Sequence, residues 1–166
     1  MSRTRKDPKS KQFLVIVIGS VIIAIVIGIS FVLTTRATDS ENYVKSIQSI
    51  SDQSRAFTQT YETSIGEWQD GEISSEEMLQ INDNHLENLN GLLAKLRSME
   101  PPEKFRLAHE LSILSLSHEL QSDKHMRNYI ETGSDDEYDR SVEFLQKAYD
   151  YETQAFEEFS RAGKST

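Results

Sequence analysis

Residues 43–68 read YVKSIQSISDQSRAFTQTYETSIGEW. Tyr43, Ile47, Ile50, Ser54, Phe57, Tyr61, Ser64 and Trp68 fall alternately four and three residues apart. That spacing holds them on one stripe of an α-helix, the seam of a coiled-coil-like helix packed nearly parallel to others. The first segment is expected to run from about Ser40 to Trp68, with Asp70-Gly71 ending it.

Three more helical segments follow. Ser74-Ser75-Glu76-Glu77 opens the second, where Ser74 can cap and Glu77 can complete a capping box. Its expected seam is Leu79, Asn82, Leu86, Leu89, Leu93 and Leu96, flanked by Met78, His85, Leu92 and Met99. Pro101-Pro102 forbids continuation and suits the start of a third segment, from about Glu103 to Thr132. Gly133 stands where a left-handed cap would close it. Several residues on its inner side (Ala108, Ser112, Ser115) are small, so another helix can come close. Ser134-Asp135-Asp136-Glu137 reads as a second capping box, opening a fourth segment with an apolar face through Tyr138, Val142, Leu145, Ala148, Phe156 and Phe159. Four helices of this length with short connections predict an antiparallel up-down-up-down four-helix bundle roughly 40 Å long.

Upstream, Phe13–Leu33 is 21 residues without a charge. As a helix it would measure about 30 Å, the hydrocarbon thickness of a bilayer. Arg3, Arg5, Lys6, Lys9 and Lys11 precede it against Asp7, a balance of +4, whereas residues 38–166 carry a balance of −14. Basic residues flanking a span stay on the cytoplasmic side. The chain is therefore expected to be all-α: a basic cytoplasmic tail (1–12), a transmembrane helix (13–35) and an acidic extracytoplasmic bundle (36–166). A cleaved signal peptide is disfavoured because its apolar region would be about 7–15 residues. A pilin-like start is disfavoured because Gln12 precedes the run and Val17 stands where an acid would be expected. Ser20, Ala24 and Gly28 recur every fourth residue, and small residues at that spacing let two spans approach closely in lipid. They form a candidate homodimer face.

Met126-Arg127-Asn128-Tyr129-Ile130-Glu131-Thr132-Gly133, followed by Ser134-Asp135-Asp136-Glu137-Tyr138, resembles the R-x-Y-x-x-T-G-(acidic) turn of extracytoplasmic four-helix sensor domains in bacterial histidine kinases and chemoreceptors. The resemblance covers 13 of 166 residues. It implies a bundle outside the membrane. Those receptors also carry a second span and cytoplasmic signalling modules. This sequence shows neither, so a sensory role is expected to act through a separate membrane partner.

The residues exclude several chemistries. There is no cysteine, hence no disulfide, thiolate metal site or cysteine nucleophile. His85, His109, His118 and His125 are 24, 9 and 7 residues apart, which is not the spacing of a helical metal site. No Glu-x-x-His pair, Gly-rich phosphate loop or nucleophile–base pairing occurs, so neither a metal, a cofactor nor a catalytic residue is expected. An acidic domain repels nucleic acid. Partners are sought instead in the lipid bilayer, a second copy, or another membrane or extracytoplasmic protein.

Two acids fall on apolar faces, Glu119 between Ser115 and Met126, and Glu152 among Leu145, Ala148 and Phe159. Pairing about the Gly133 turn would set them at similar heights, with His85 not far above. A buried carboxylate must be paired, hydrogen-bonded or protonated. His85, Glu119 and Glu152 are thus a candidate polar pocket; the other reading is that the acids reach the surface or form a structural pair. The expected function is a non-enzymatic, membrane-anchored interaction or scaffolding role. The alternative is an extracytoplasmic ligand-sensing module.

Overall fold

The structure, a computed structural model, describes residues 38–164. The basic tail, the apolar run and the Ser20, Ala24 and Gly28 face lie outside the described residues. Among the described residues no helix is long and apolar enough to cross a membrane.

The described chain is a helical bundle: α1 (Thr38–Asp70), α2 (Ser75–Arg97), a single 3-10 turn (Glu103–Phe105), α3 (Arg106–Thr132) and α4 (Asp135–Lys164). Its punctuation follows from local chemistry. Gly71 takes φ 80°. Its N–H returns to Trp68 O at 3.1 Å and that of Glu72 to Glu67 O at 2.8 Å, which satisfies the last carbonyls of α1. Ser74 Oγ accepts from Glu77 N–H at 3.1 Å, the forward half of the expected box. Trp68 Nε1 donates to Ser75 Oγ at 3.1 Å and fastens the turn. Gly133, at φ 70°, gives its N–H to Tyr129 O at 2.7 Å and closes α3.

Two local readings need correction. Ser134 does not open a capping box with Glu137. Its N–H donates to Thr132 Oγ1 at 3.2 Å, while Glu137 Oε2 accepts from His125 Nδ1 at 2.7 Å and Asn128 Nδ2 at 3.0 Å. Glu137 thereby ties α4 to α3 instead of capping its own helix. The buried stripe of α2 keeps Asn82, Leu89, Leu93 and Leu96 of the expected seam, but the flanking Met78, His85 and Leu92 are buried in preference to Leu79 and Leu86. Leu79 and Leu86 are only partly buried, because α2 packs on both α1 and α3 and its inward direction bisects them.

Successive helices run antiparallel. Ser122 faces Ser141 at 3.1 Å and Ser115 Oγ donates to Ala148 O at 2.9 Å, so α3 and α4 advance in opposite senses. The sequence-adjacent pairs α1–α2, α2–α3 and α3–α4 are in contact. Among the described residues no Cα of α1 comes within 8 Å of one in α4. Along this fourth edge α1 and α4 are more widely spaced and meet through long side chains, Tyr43 and Phe159 among them. Small side chains explain the asymmetry: Ser115, Ser122, Ser141 and Ala148 let α4 settle close onto α3, which draws it away from α1.

The core is correspondingly split in two. At the end holding the Pro101-Pro102 turn, Tyr43, Phe105 and Phe159 pack ring on ring, with centroids 5.5 to 6.5 Å apart, over Ile47, Leu93 and Leu96. At the other end Tyr61, Ile65, Met78, Met126 and Ile130 form a second cluster under Trp68 and Tyr129, whose rings meet edge to face at 5.9 Å. The middle layer is polar.

Candidate functional site

The middle layer begins with positions where a packed seam would place large apolar residues and this chain places Ser, Thr, an acid or an arginine. On α1 these are Ser54, Arg55, Thr58 and Glu62, on α3 Ser115, Glu119, Ser122 and Asp123, on α4 Ser141 and Glu152. Hydroxyls and carboxyls fill less space than Leu or Phe. With α1 and α4 held apart, a cleft of about 560 Å³ remains between α1, α3 and α4. The rest of its walls is mainly apolar, with Ile47, Leu116, Leu145 and Phe156 among the lining residues. Leu145 and Phe156 are only half-buried, since they face the cleft instead of another helix.

Glu119 stands at its centre. Its Oε1 accepts from Thr58 Oγ1 at 2.8 Å. Burial pushes its carboxyl up to about 8, reinforced by the nearby charge of Asp123 and, less, of Glu152 and Glu62, while the Thr58 bond pulls the other way. Burial also raises Glu62 and Glu152 to about 7; Asp123 adds to the first and the Arg55 guanidinium opposes the second. Glu62 Oε1 is buried with no hydrogen-bond partner.

Asp123 sits one turn along α3, beside a polar seam that locks α1, α2 and α3 together. Its Oδ2 lies 3.2 Å from His85 Nε2, an arrangement that lowers its carboxyl against the upward push of burial. The His85 ring stacks on Tyr61, centroids 4.2 Å apart at 8°. Asn82, fully buried, donates Nδ2 to Tyr61 Oη and to Asp123 O, the latter at 3.2 Å. Tyr61 Oη and the imidazole are therefore oriented by structural bonds, with Asp123 carrying the seam into the cleft wall.

The structure brings Glu119 and Glu152 together on this cleft. His85 stands behind it, reaching the site only through Asp123. Sequence reading missed Glu62, Asp123 and Arg55. The signal for Asp123 was present, since it follows Glu119 by four residues and shares its helix face. For Glu62 the clue was its place four residues after Thr58. The other histidines stand apart from the cleft: His109 Nδ1 meets Tyr43 Oη at 3.1 Å, and His118 Nδ1 meets Leu114 O at 2.8 Å. Among the described residues no three His, Asp or Glu side chains converge in a way that could hold a metal ion.

The turn that resembles sensor domains is built by structural contacts. Arg127 Nε donates to Asp83 Oδ1 at 2.6 Å and joins α3 to α2, and Tyr129 packs on Trp68 and Tyr138. No family model, curated protein or solved structure matches this chain.

Proposed function

We propose that this chain is a membrane-anchored, non-enzymatic bundle that binds a small ligand in the cleft and acts through a separate membrane partner. One observation carries the reading: a cleft of about 560 Å³, with an apolar cluster at each end, presents carboxyl groups from three helices on largely apolar walls. Clefts of roughly 300–1,000 Å³ with a few placed polar groups are where proteins hold small molecules. In this reading Phe13–Leu33 is a retained transmembrane helix, residues 1–12 stay in the cytoplasm, and the bundle stands outside. The local resemblance to extracytoplasmic sensor domains agrees with that sidedness.

The test is a thermal-shift survey of the full-length chain in detergent against a library of small metabolites. Some compounds should raise the melting temperature, and Ser54→Trp, which fills the cleft from α1, should abolish those shifts. Shifts that persist in Ser54→Trp, or none in the wild type, would overturn the reading. Protease added to intact cells should digest residues 36–166; their protection until lysis would reverse the sidedness.

An interaction role through a second copy is a separate proposal, resting on Ser20, Ala24 and Gly28. Ala24→Leu should lower the crosslinked dimer fraction in membranes, and an unchanged fraction would remove that face.

A further inference from the structure

The cleft has a chemical bias that narrows what it takes. Glu62, Glu119, Asp123, Asp150 and Glu152 line it, and among the lining residues Arg55 is the one base. Such a wall disfavours anionic ligands, whereas a cation favours the ionised form of acids that burial otherwise holds toward protonation.

Two of these acids line the cleft from different helices, Glu62 from α1 and Glu119 from α3. Glu119 lines the cleft and accepts from Thr58 Oγ1 through Oε1. Glu62 Oε1, on the facing wall, is buried and lacks a hydrogen-bond partner. A buried carboxylate oxygen wants a donor, and a positively charged donor most of all.

The cation implied is organic. The acids sit on three different helices and do not group as metal ligands. They are spread along walls that also present Tyr61, Phe156 and Phe159. An ammonium group on an apolar body would meet carboxylates with its head, and aromatic faces and aliphatic side chains with the rest.

We propose that the cleft binds an organic amine, its ammonium between Glu62 and Glu119 and its apolar body along Leu145 and Phe156. This deepens the ligand-binding reading above and rests on it.

The probes are 2-phenylethylamine, 2-phenylethanol and 3-phenylpropionate, titrated calorimetrically into the full-length chain in detergent, with detergent alone as blank. They share a ring and linker and differ in the charge of the head. The amine should bind and the other two should bind at least about tenfold more weakly, as the loss of a charge-assisted hydrogen bond dictates. Glu119→Gln keeps an acceptor for Thr58 and should weaken the amine by about tenfold or more. Glu62→Gln, which removes the other acid at the ammonium head, provides a second, independent reduction should the first variant fold poorly. Alcohol or carboxylate binding as tight as the amine, amine binding that survives both variants, or no binding of the amine would each overturn the amine assignment. If the alcohol binds and Ser54→Trp abolishes that binding, the cleft remains a ligand site and only the charge class falls.

Discussion

Thr58 Oγ1 on α1 donates to Glu119 Oε1 on α3 across 2.8 Å. The two helices lie diagonally in the bundle, with no Cα of one within 8 Å of the other among the described residues. The bond therefore crosses the interior, at the layer where the apolar core is interrupted. It couples the cleft's central acid to the helix that leads back toward residues 1–37. A ligand that competes for Glu119 would act on α1 directly.

Thr58→Val removes that donor in a site 6% exposed. Leaving a buried acceptor short of its partner costs roughly 1–3 kcal/mol. The variant should melt several degrees below wild type, and Thr58→Ser, which restores a hydroxyl, should recover most of the loss. Equal melting of Val and Ser variants would show that the bond carries no stability.

The acids in the cleft make stability fall with rising pH. The carboxyls of Glu62 and Glu152 are raised to about 7 and that of Glu119 to about 8, all from an ordinary 4.5. Between those limits the folded chain holds protons that the unfolded chain has released. Their contribution is fully present below about 4.5 and lost as pH rises through 7 and 8. Asp123, raised by burial and held down by His85, adds in the same direction; Arg55 opposes it at Glu152. Melting temperature should therefore decline from pH 5 to pH 8.5. Glu119→Gln should flatten that slope, and a slope unchanged by the variant would sever it from this cluster.

Gly133 closes α3 at φ 70°, with open space where a Cβ would stand. Alanine there meets no neighbour but must adopt a left-handed backbone, at a cost of about 1–2 kcal/mol. Gly133→Asn should cost less, because asparagine tolerates that conformation. Denaturant midpoints of the two variants check the order.

Ser122 and Ser141 are each 2% exposed and face one another at 3.1 Å. Ser141→Leu has no room and should lose about 1–3 kcal/mol to overpacking. The same change should move α4 outward and alter the cleft. Ser141→Ala, which only deletes an oxygen, should fall well short of that. Equal destabilisation by Ala and Leu would mean that the hydroxyl pair, and not the close approach, holds α4 on α3.

Much of the bundle is legible in the chain itself. The four-and-three spacing through Tyr43, Ile47, Ile50 and Phe57 fixes a helix and its inward face. Gly71, Ser74, Pro101-Pro102 and Gly133 fix where the chain turns, since each acts through its own backbone or its nearest neighbours. Glu119 and Glu152 could be singled out because an acid on an apolar stripe contradicts its surroundings.

Other features depend on residues distant in sequence. That Met78 and His85, at the flank of the α2 seam, are buried in preference to Leu79 and Leu86 follows from where α1 and α3 sit. Glu137 looks like a cap from its spacing, but His125 and Asn128 claim its oxygen across the turn. The cleft itself is a difference between two distances: serines on α3 and α4 draw those helices together, and α1, held elsewhere by α2, is left apart. Local periodicity records which face of a helix is apolar. The size of the space between two such faces is set by the packing of all four helices at once, and that was decided only in the tertiary structure.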